Sequence, residues 1–258
     1  MSMSSPDVEE ITDFQISVLG VEASLDRIWK WIASGERRRW FACANPYSLE
    51  LARKDGLFTR ALKGADLLTA DGAGILLASR ILGGRIQERV TGSDIFAGLC
   101  RRMDQSDFRR AFFLGSTEQT LAKLRVKMAQ AYPRIEIVGE YSPPYLEEFS
   151  AEKTERMIEA VNRAAPDVLW VGMTAPKQEK WVFQNRRLLD VKFIAPVGAV
   201  FDFFAGNVQR SGPRFQRYGL EWLPRLIQEP RRLWRRTAVY APLFLWHVVR
   251  QKFAGKEK

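Results

Sequence analysis

An acid followed by two glycines in three residues, Asp71-Gly72-Ala73-Gly74, is the first stretch of this chain whose residue types could do chemistry. A carboxylate can take a proton from a hydroxyl, and glycines beside it let backbone amides approach a substrate closely. Glu88-Arg89-Val90-Thr91-Gly92-Ser93-Asp94 repeats the arrangement, with Ser93 or Asp94 placed to cap a helix over residues 95–102. Free N–H groups at helix starts attract anions, so the two starts are expected to share one pocket. A third polar cluster, Thr174-Ala175-Pro176-Lys177-Gln178-Glu179-Lys180, leaves Lys177 free to meet a phosphate or carboxylate. Turns, N-caps and solvated helix starts account for the same residues, and on spacing alone they are the commoner outcome.

What the chain lacks narrows the chemistry. His247 is the single histidine, so neither a histidine-based triad nor a multi-histidine metal site can be built, and acid–base work falls to carboxylates, Lys, Tyr or Cys. Two cysteines, Cys43 and Cys100, form no Cys-X-X-Cys pair, and no apolar leader follows the polar residues 1–13. A reducing cytoplasmic setting is expected from both.

The elements that must position these residues follow from periodicity. At 258 residues, 46% hydrophobic and 27% charged, the chain belongs to the globular class and can bury a large core. Strands are expected over residues 14–21, 40–44, 66–69, 110–114, 135–138, 168–171 and 191–197. Helices alternate with them. Ser24 is expected to cap one carrying Leu25, Ile28, Trp29 and Ile32; others cover 55–63 and 152–164, and Ser116 with Gln119 is spaced as a capping box. Pro46 suits the first turn of a helix, which leaves Asn45 as its N-cap or as a pocket residue, and two prolines make 141–145 a loop. This alternation predicts an α/β fold: a Rossmann-like parallel sheet with helices on both faces. Asn45, Asp71 and residues 172–181 then fall at the carboxyl edge, where such sheets hold their ligands. Asp202, alone among the aromatics of 198–206, caps a helix or lines the pocket.

After Gly206 the character changes. Residues 207–258 carry twelve Lys/Arg against three Glu, which accounts for nearly all of the net charge of +10. We divide the chain into a Rossmann-like domain, 1–206, which would carry any catalysis, and a basic, Trp- and Arg-rich helical appendage, 207–258. Helices are expected over 219–228 and 231–239, with Glu229-Pro230 between them and Arg225, Arg231, Arg232 and Arg235 near Trp222 and Trp234. The longest uncharged run, 237–249, is too short to span a bilayer, which needs about 20 residues. Three fates remain open: an interfacial helix on acidic lipid, a nucleic-acid grip, or a solvated basic face over buried Trp residues.

Taken together, Ala70 to Gly74, Glu88 to Asp94, Ala175 to Trp181, Gly198 to Gly206, Gly219 to Leu226 and Gln228 to Arg232 resemble the motifs of the WecG/TagA/CpsF family of bacterial glycosyltransferases. The resemblance covers almost the whole chain, in order. It implies inverting transfer of a sugar from a UDP-sugar donor to an undecaprenyl-diphosphate-linked saccharide, at the cytoplasmic face of the bacterial inner membrane. The sugar it implies is N-acetylmannosamine or its uronic acid, with glucose in relatives serving exopolysaccharide assembly. Asp71 matches the family's proposed general base, Arg89 the cation near the diphosphate, and Asn45 a pocket residue. Gly72, Thr91, Gly92, Asp94, Lys177, Gln178 and Glu179 fall in the matching substrate-binding blocks, and Arg225, Arg231, Arg232 and Arg235 in the membrane- and diphosphate-facing tail. The resemblance also implies a peripheral membrane protein and allows a homo-oligomer. Cys43 departs from it, standing where many members have Thr. No Asp-X-Asp occurs, so transfer without metal or other cofactor is expected. The reading from a different class is a non-catalytic nucleotide- or nucleic-acid-binding module.

Overall fold

A computed structural model of the chain describes residues 7–146, 148–208 and 236–254. It begins with an antiparallel hairpin, β1 (Val8–Ile11) and β2 (Phe14–Ser17), which forms a two-stranded sheet of its own. Thr12 and Asp13, the two residues between them, both take positive φ, 46° and 70°. Helix α1 (Val21–Ala33) leads into the main sheet.

That sheet has six strands: β3 (Arg39–Ala44), β4 (Leu67–Ala70), β5 (Arg110–Gly115), β6 (Glu136–Tyr141), β7 (Val168–Gly172) and β8 (Phe193–Pro196). They lie in the order β4-β3-β8-β7-β5-β6, every neighbouring pair parallel. Runs such as Trp40-Phe41-Ala42 and Val168-Leu169-Trp170-Val171 are fully buried, because a parallel sheet is covered on both faces and has no polar side to show.

Successive residues serve opposite faces. Trp40, Ala42, Leu169 and Val171 pack with α2 (Pro46–Ala52), α3 (Gly56–Lys63), α4 (Ala73–Leu82), α7 (Ala151–Ala164) and α8 (Lys177–Asn185). Phe41, Val168, Trp170 and Phe193 pack with α1, α5 (Gly92–Asp104), α6 (Glu118–Ala131) and α9 (Val200–Ala205). Although β3 and β8 are neighbours, the chain leaves β3 into α2 on one face and leaves β8 into α9 on the other. A crevice must open at their carboxyl ends, and ligands of open α/β sheets bind at such a switch point.

The C-terminal helix α10 (Ala241–Ala254) follows a single π-helical turn, Arg236–Tyr240. It buries Phe244 and Val248 completely in the cluster that holds α2 and α4. His247 Nδ1 lies 2.8 Å from Oε1 of Glu50, which is 1% exposed in α2. Gln251 accepts the Thr12 N–H at 2.8 Å and donates to the Glu10 carbonyl at 3.0 Å. No helix among the described residues is long and apolar enough to cross a membrane.

Several local expectations need correction. Residues 14–21 are not one strand: β2 ends at Ser17 and pairs with β1, inside a stretch whose polarity concealed it. Ser24 does not cap α1, which starts three residues earlier; Gly20 is the N-cap, and the Val21 N–H donates to Glu88 Oε2 at 2.9 Å. Ser24 is instead buried in the helix. Thr117, not Ser116, caps α6 by accepting the Thr120 N–H, while Ser116 takes positive φ, 61°. The helix expected over 219–228 and residues 231–235 of the one expected over 231–239 fall outside the described residues; residues 236–239 of the latter lie in the π-helical turn.

Candidate active site

Strand ends bring the polar clusters together. The Asp71 N–H donates to the Ala44 carbonyl and the Val90 N–H to the Ala70 carbonyl, both at 2.8 Å. Residues 88–92 are thus fastened beside the end of β4, and Arg89 sits one residue before that anchor. Asp71 follows β4 directly, as Asn45 follows β3. Gly72 turns the chain into α4 with φ 95° and ψ 155°, a conformation that a Cβ would strain. In the first turn of α4, a Cβ on Gly74 would stand 2.3 Å from Pro46 Cγ, so the starts of α2 and α4 touch only because Gly is there. Gly92 at the start of α5 rests against Val197, just past β8, where a Cβ would lie 3.4 Å from Val197 Cα.

The helix starts are closed by reciprocal capping. Asn45 Oδ1 accepts the Ser48 N–H and Ser48 Oγ accepts the Asn45 N–H, each at 2.9 Å. At α5 the cap is Thr91, whose Oγ1 accepts the Asp94 N–H at 3.3 Å while Asp94 Oδ2 accepts from the Thr91 N–H at 3.0 Å and its hydroxyl at 2.7 Å. Ser93 therefore caps nothing, and Asp94 acts as the third residue of the helix, not as its cap. Both Asn45 and Asp94 spend side-chain oxygens on helix starts, so each holds the pocket's shape whatever else it touches.

Carboxyl groups gather around Cys43 on β3. Burial, then the Asp71 charge, push its thiol well above the usual range; Glu179 and Asp94 add to this, and the Thr69 hydroxyl, 3.5 Å from Sγ, opposes it. The thiol is thus neutral at physiological pH. From α8, Gln178 Oε1 accepts the Met173 N–H at 3.2 Å and its Nε2 donates to Glu179 Oε1 at 2.8 Å. Glu179 is only 5% exposed, and burial pushes its carboxyl up to about 7. Its other oxygen, Oε2, is buried without a partner. No group of three or more His, Cys, Asp or Glu among the described residues is arranged to hold a metal ion.

Two expected contributors are engaged in local contacts. Lys177 Nζ donates to the Leu146 carbonyl at 2.7 Å and stands over the Tyr145 and Phe149 rings, at 5.3 and 4.8 Å. Burial lowers its pKa. It holds the segment between β6 and α7 with one of its donors. Asp202 lies in the first turn of α9, whose N-cap is Ala199, and it accepts from Asn207 Nδ2 at 3.2 Å. Lys180 is paired with Asp55, the N-cap of α3. Arg225, Arg231, Arg232 and Arg235 lie outside the described residues. Sequence reasoning missed the Glu50–His247 contact altogether; an acid in mid-helix, 197 positions from its partner, carries no local signal.

A doubly wound parallel sheet whose switch-point crevice is lined by a carboxylate and helix starts is the layout of a nucleotide-binding α/β enzyme. The family model described as Glycosyl transferase WecG/TagA/CpsF family matches residues 9–258, and the chain belongs to that family. It is a glycosyltransferase and not the non-catalytic binding module weighed against that reading. An N-acetylglucosaminyldiphosphoundecaprenol N-acetyl-beta-D-mannosaminyltransferase of Bacillus spizizenii is 32% identical over 193 residues, 75% of this chain and 72% of that protein. The Bacillus subtilis protein with the same name is 31% identical over 192 residues, 74% and 72% of the two chains. One from Staphylococcus aureus is 24% identical over 209 residues, 81% and 79%.

Proposed function

We propose that this enzyme transfers an N-acetylmannosamine-type sugar, with inversion, from a UDP-sugar to an undecaprenyl-diphosphate-linked saccharide. The observation that carries the reading is Asp71, standing directly after β4 at the switch-point crevice, with Arg89 fastened beside it and three helix starts around it. The names of the similar proteins support this donor sugar and this acceptor class.

Asp71 acts as base. The acceptor hydroxyl gives its proton to the Asp71 carboxylate as its oxygen bonds to the anomeric carbon, on the face opposite the leaving group. The bond from that carbon to the donor phosphate breaks, and UDP departs with the electron pair. Its charge is met by Arg89 and by the N–H groups around Gly72, Thr91 and Gly92. Asn45, Asp94 and Gln178 hold the strand ends at which the donor rests. The transfer uses no metal, and activity that survives EDTA is the expected result.

Residues 207–258 are the membrane-associating part and bring the site to the cytoplasmic face of the inner membrane. Exposed Trp246 (55%) and Phe253 (61%), with Arg250 against the Trp246 ring, fit an interfacial helix on acidic lipid. Loss of vesicle binding in a Trp246→Ser, Phe253→Ser variant checks this part.

The deciding experiment is UDP release with a panel of UDP-sugars (N-acetylmannosamine, its uronic acid, glucose, N-acetylglucosamine) and a polyprenyl-diphosphate-linked acceptor. Turnover is expected with the mannosamine donor. Asp71→Asn should bind donor normally and lose about 10²-fold or more in kcat, the scale of a general base. Undiminished kcat in that variant would remove Asp71 from the role.

A further inference from the structure

Glu179 lies in the first turn of a helix, where an acid is normally solvated and ionised. Here it is 5% exposed, and its two oxygens are used unequally. Oε1 accepts from Gln178 Nε2, so a proton on this carboxyl belongs on Oε2, the oxygen buried without a partner. A buried ionised oxygen with nothing to answer it is costly, whereas a neutral acid at the same place leaves only an unused donor.

The charged groups around it sharpen the point. On its own helix, Lys177 turns to the Leu146 carbonyl and Lys180 to Asp55. Asp71 after β4, Asp94 in α5 and Glu179 itself all act on the Cys43 thiol, so Glu179 belongs to the field of the same pocket. Past the ends of β7 and β8, Met173 and Gly198 lie beside Gln178 and carry no charge. None of these groups supplies Glu179 with a counter-charge. Ionised, it would add to the negative charge of Asp71 and Asp94 and oppose what Arg89 offers a diphosphate. Burial places its titration near neutrality, at about 7, so the choice between the two states falls within the working range of pH.

We infer that Glu179 is a proton-holding positioning residue: neutral, it lets the pocket accept the diphosphate of the donor, and its ionisation expels that donor. The inference rests on the UDP-sugar reading above and adds to it a coupling between donor binding and proton uptake. If donor binds only the neutral form, affinity weakens about tenfold from pH 6 to pH 8, because the competent fraction falls by that factor.

The test is isothermal calorimetry of a UDP-sugar binding to the full chain. Its diphosphate is a diester and keeps its charge across neutral pH, unlike UDP. In two buffers of different ionisation enthalpy, the wild-type protein should take up about one proton per donor at pH 8 and almost none at pH 6. Glu179→Gln, neutral at every pH, should keep the pH 6 affinity and show neither the tenfold loss nor the uptake. Donor binding by the wild type without proton uptake would overturn the inference and leave the donor reading intact. An unchanged pH dependence in a folded Glu179→Gln variant would do the same. Failure of every UDP-sugar to bind at pH 6 would overturn the donor reading and this inference with it. Because the uptake is measured on the wild type, the outcome does not hang on the variant folding.

Discussion

Replacing Glu179 by Gln should change how stability depends on pH, independently of any substrate. Burial moves this carboxyl from 4.5 to about 7. A group whose folded pKa is raised stabilises the fold fully below its unfolded pKa and loses that contribution as pH rises through the folded value. Between pH 4.5 and 7 the folded chain holds a proton that the unfolded chain has released, so stability falls with rising pH across that window and is flat above it. A displacement of this size corresponds to about 3 kcal/mol. The side chain is almost fully enclosed, so solvent screening removes little of it. Urea titrations at pH 5, 6, 7 and 8 would measure the difference between wild type and Glu179→Gln, in which the other titrating groups cancel. The difference should grow in favour of Gln by about 2–3 kcal/mol from pH 5 to pH 8, with the change ending near pH 7. Parallel curves would refute the reasoning, since they would mean that Glu179 ionises in the fold as readily as in the unfolded chain.

Three further outcomes follow from particular contacts. Phe244→Ala should cost about 3–5 kcal/mol by thermal unfolding, since its ring is fully enclosed between α10 and the core; a cost under 1 kcal/mol would mean that the helix does not rest there. Gly72→Ala should cost about 1–3 kcal/mol for its φ of 95° and displace Asp71, lowering kcat more than donor affinity. Cys100 should resist alkylation at pH 8 in the folded protein because it is buried, and half-buried Cys43 should react slowly because its surroundings and the Asp71 charge hold its thiol protonated, both reacting once the chain is unfolded; labelling counted by mass spectrometry checks this.

Most of the sheet was legible in the sequence because its strands are enclosed on both sides and so read as unbroken apolar runs. Asp71 could be placed at a strand end for the same reason, with Gly72 marking the turn after it. Legibility failed where a partner is remote or a local signal is diluted. β1 reads Val-Glu-Glu-Ile and turns on Thr12 and Asp13, without the glycine that usually marks such a turn. The start of α1 is answered by Glu88, 67 positions away, so the nearby Ser24 drew attention that belonged elsewhere. Lys177 lies beside the pocket in sequence but is captured by Leu146, Tyr145 and Phe149. The burial of Glu179 was not legible, because enclosure by residues remote in sequence leaves no mark on its neighbours.

The grip of Gln251 on Thr12 and Glu10 gives the last helix a different standing from that of a loose tail. These bonds join positions 239 and 241 apart. The hairpin packs Ile11, Phe14 and Ile16 into the main core, but the Thr12 N–H finds its partner only on a helix that the ribosome makes more than two hundred residues later. We expect amide protection at Thr12 to arrive only with the slowest refolding phase; protection gained in an early phase would refute this order of assembly. Cutting the chain after residue 206 would therefore strip Phe244 and Val248 from the core and leave the buried Glu50 unanswered. The C-terminal helix is a clasp that locks the front of the molecule, and what it does at a lipid surface is best probed by changing its outward side chains one at a time.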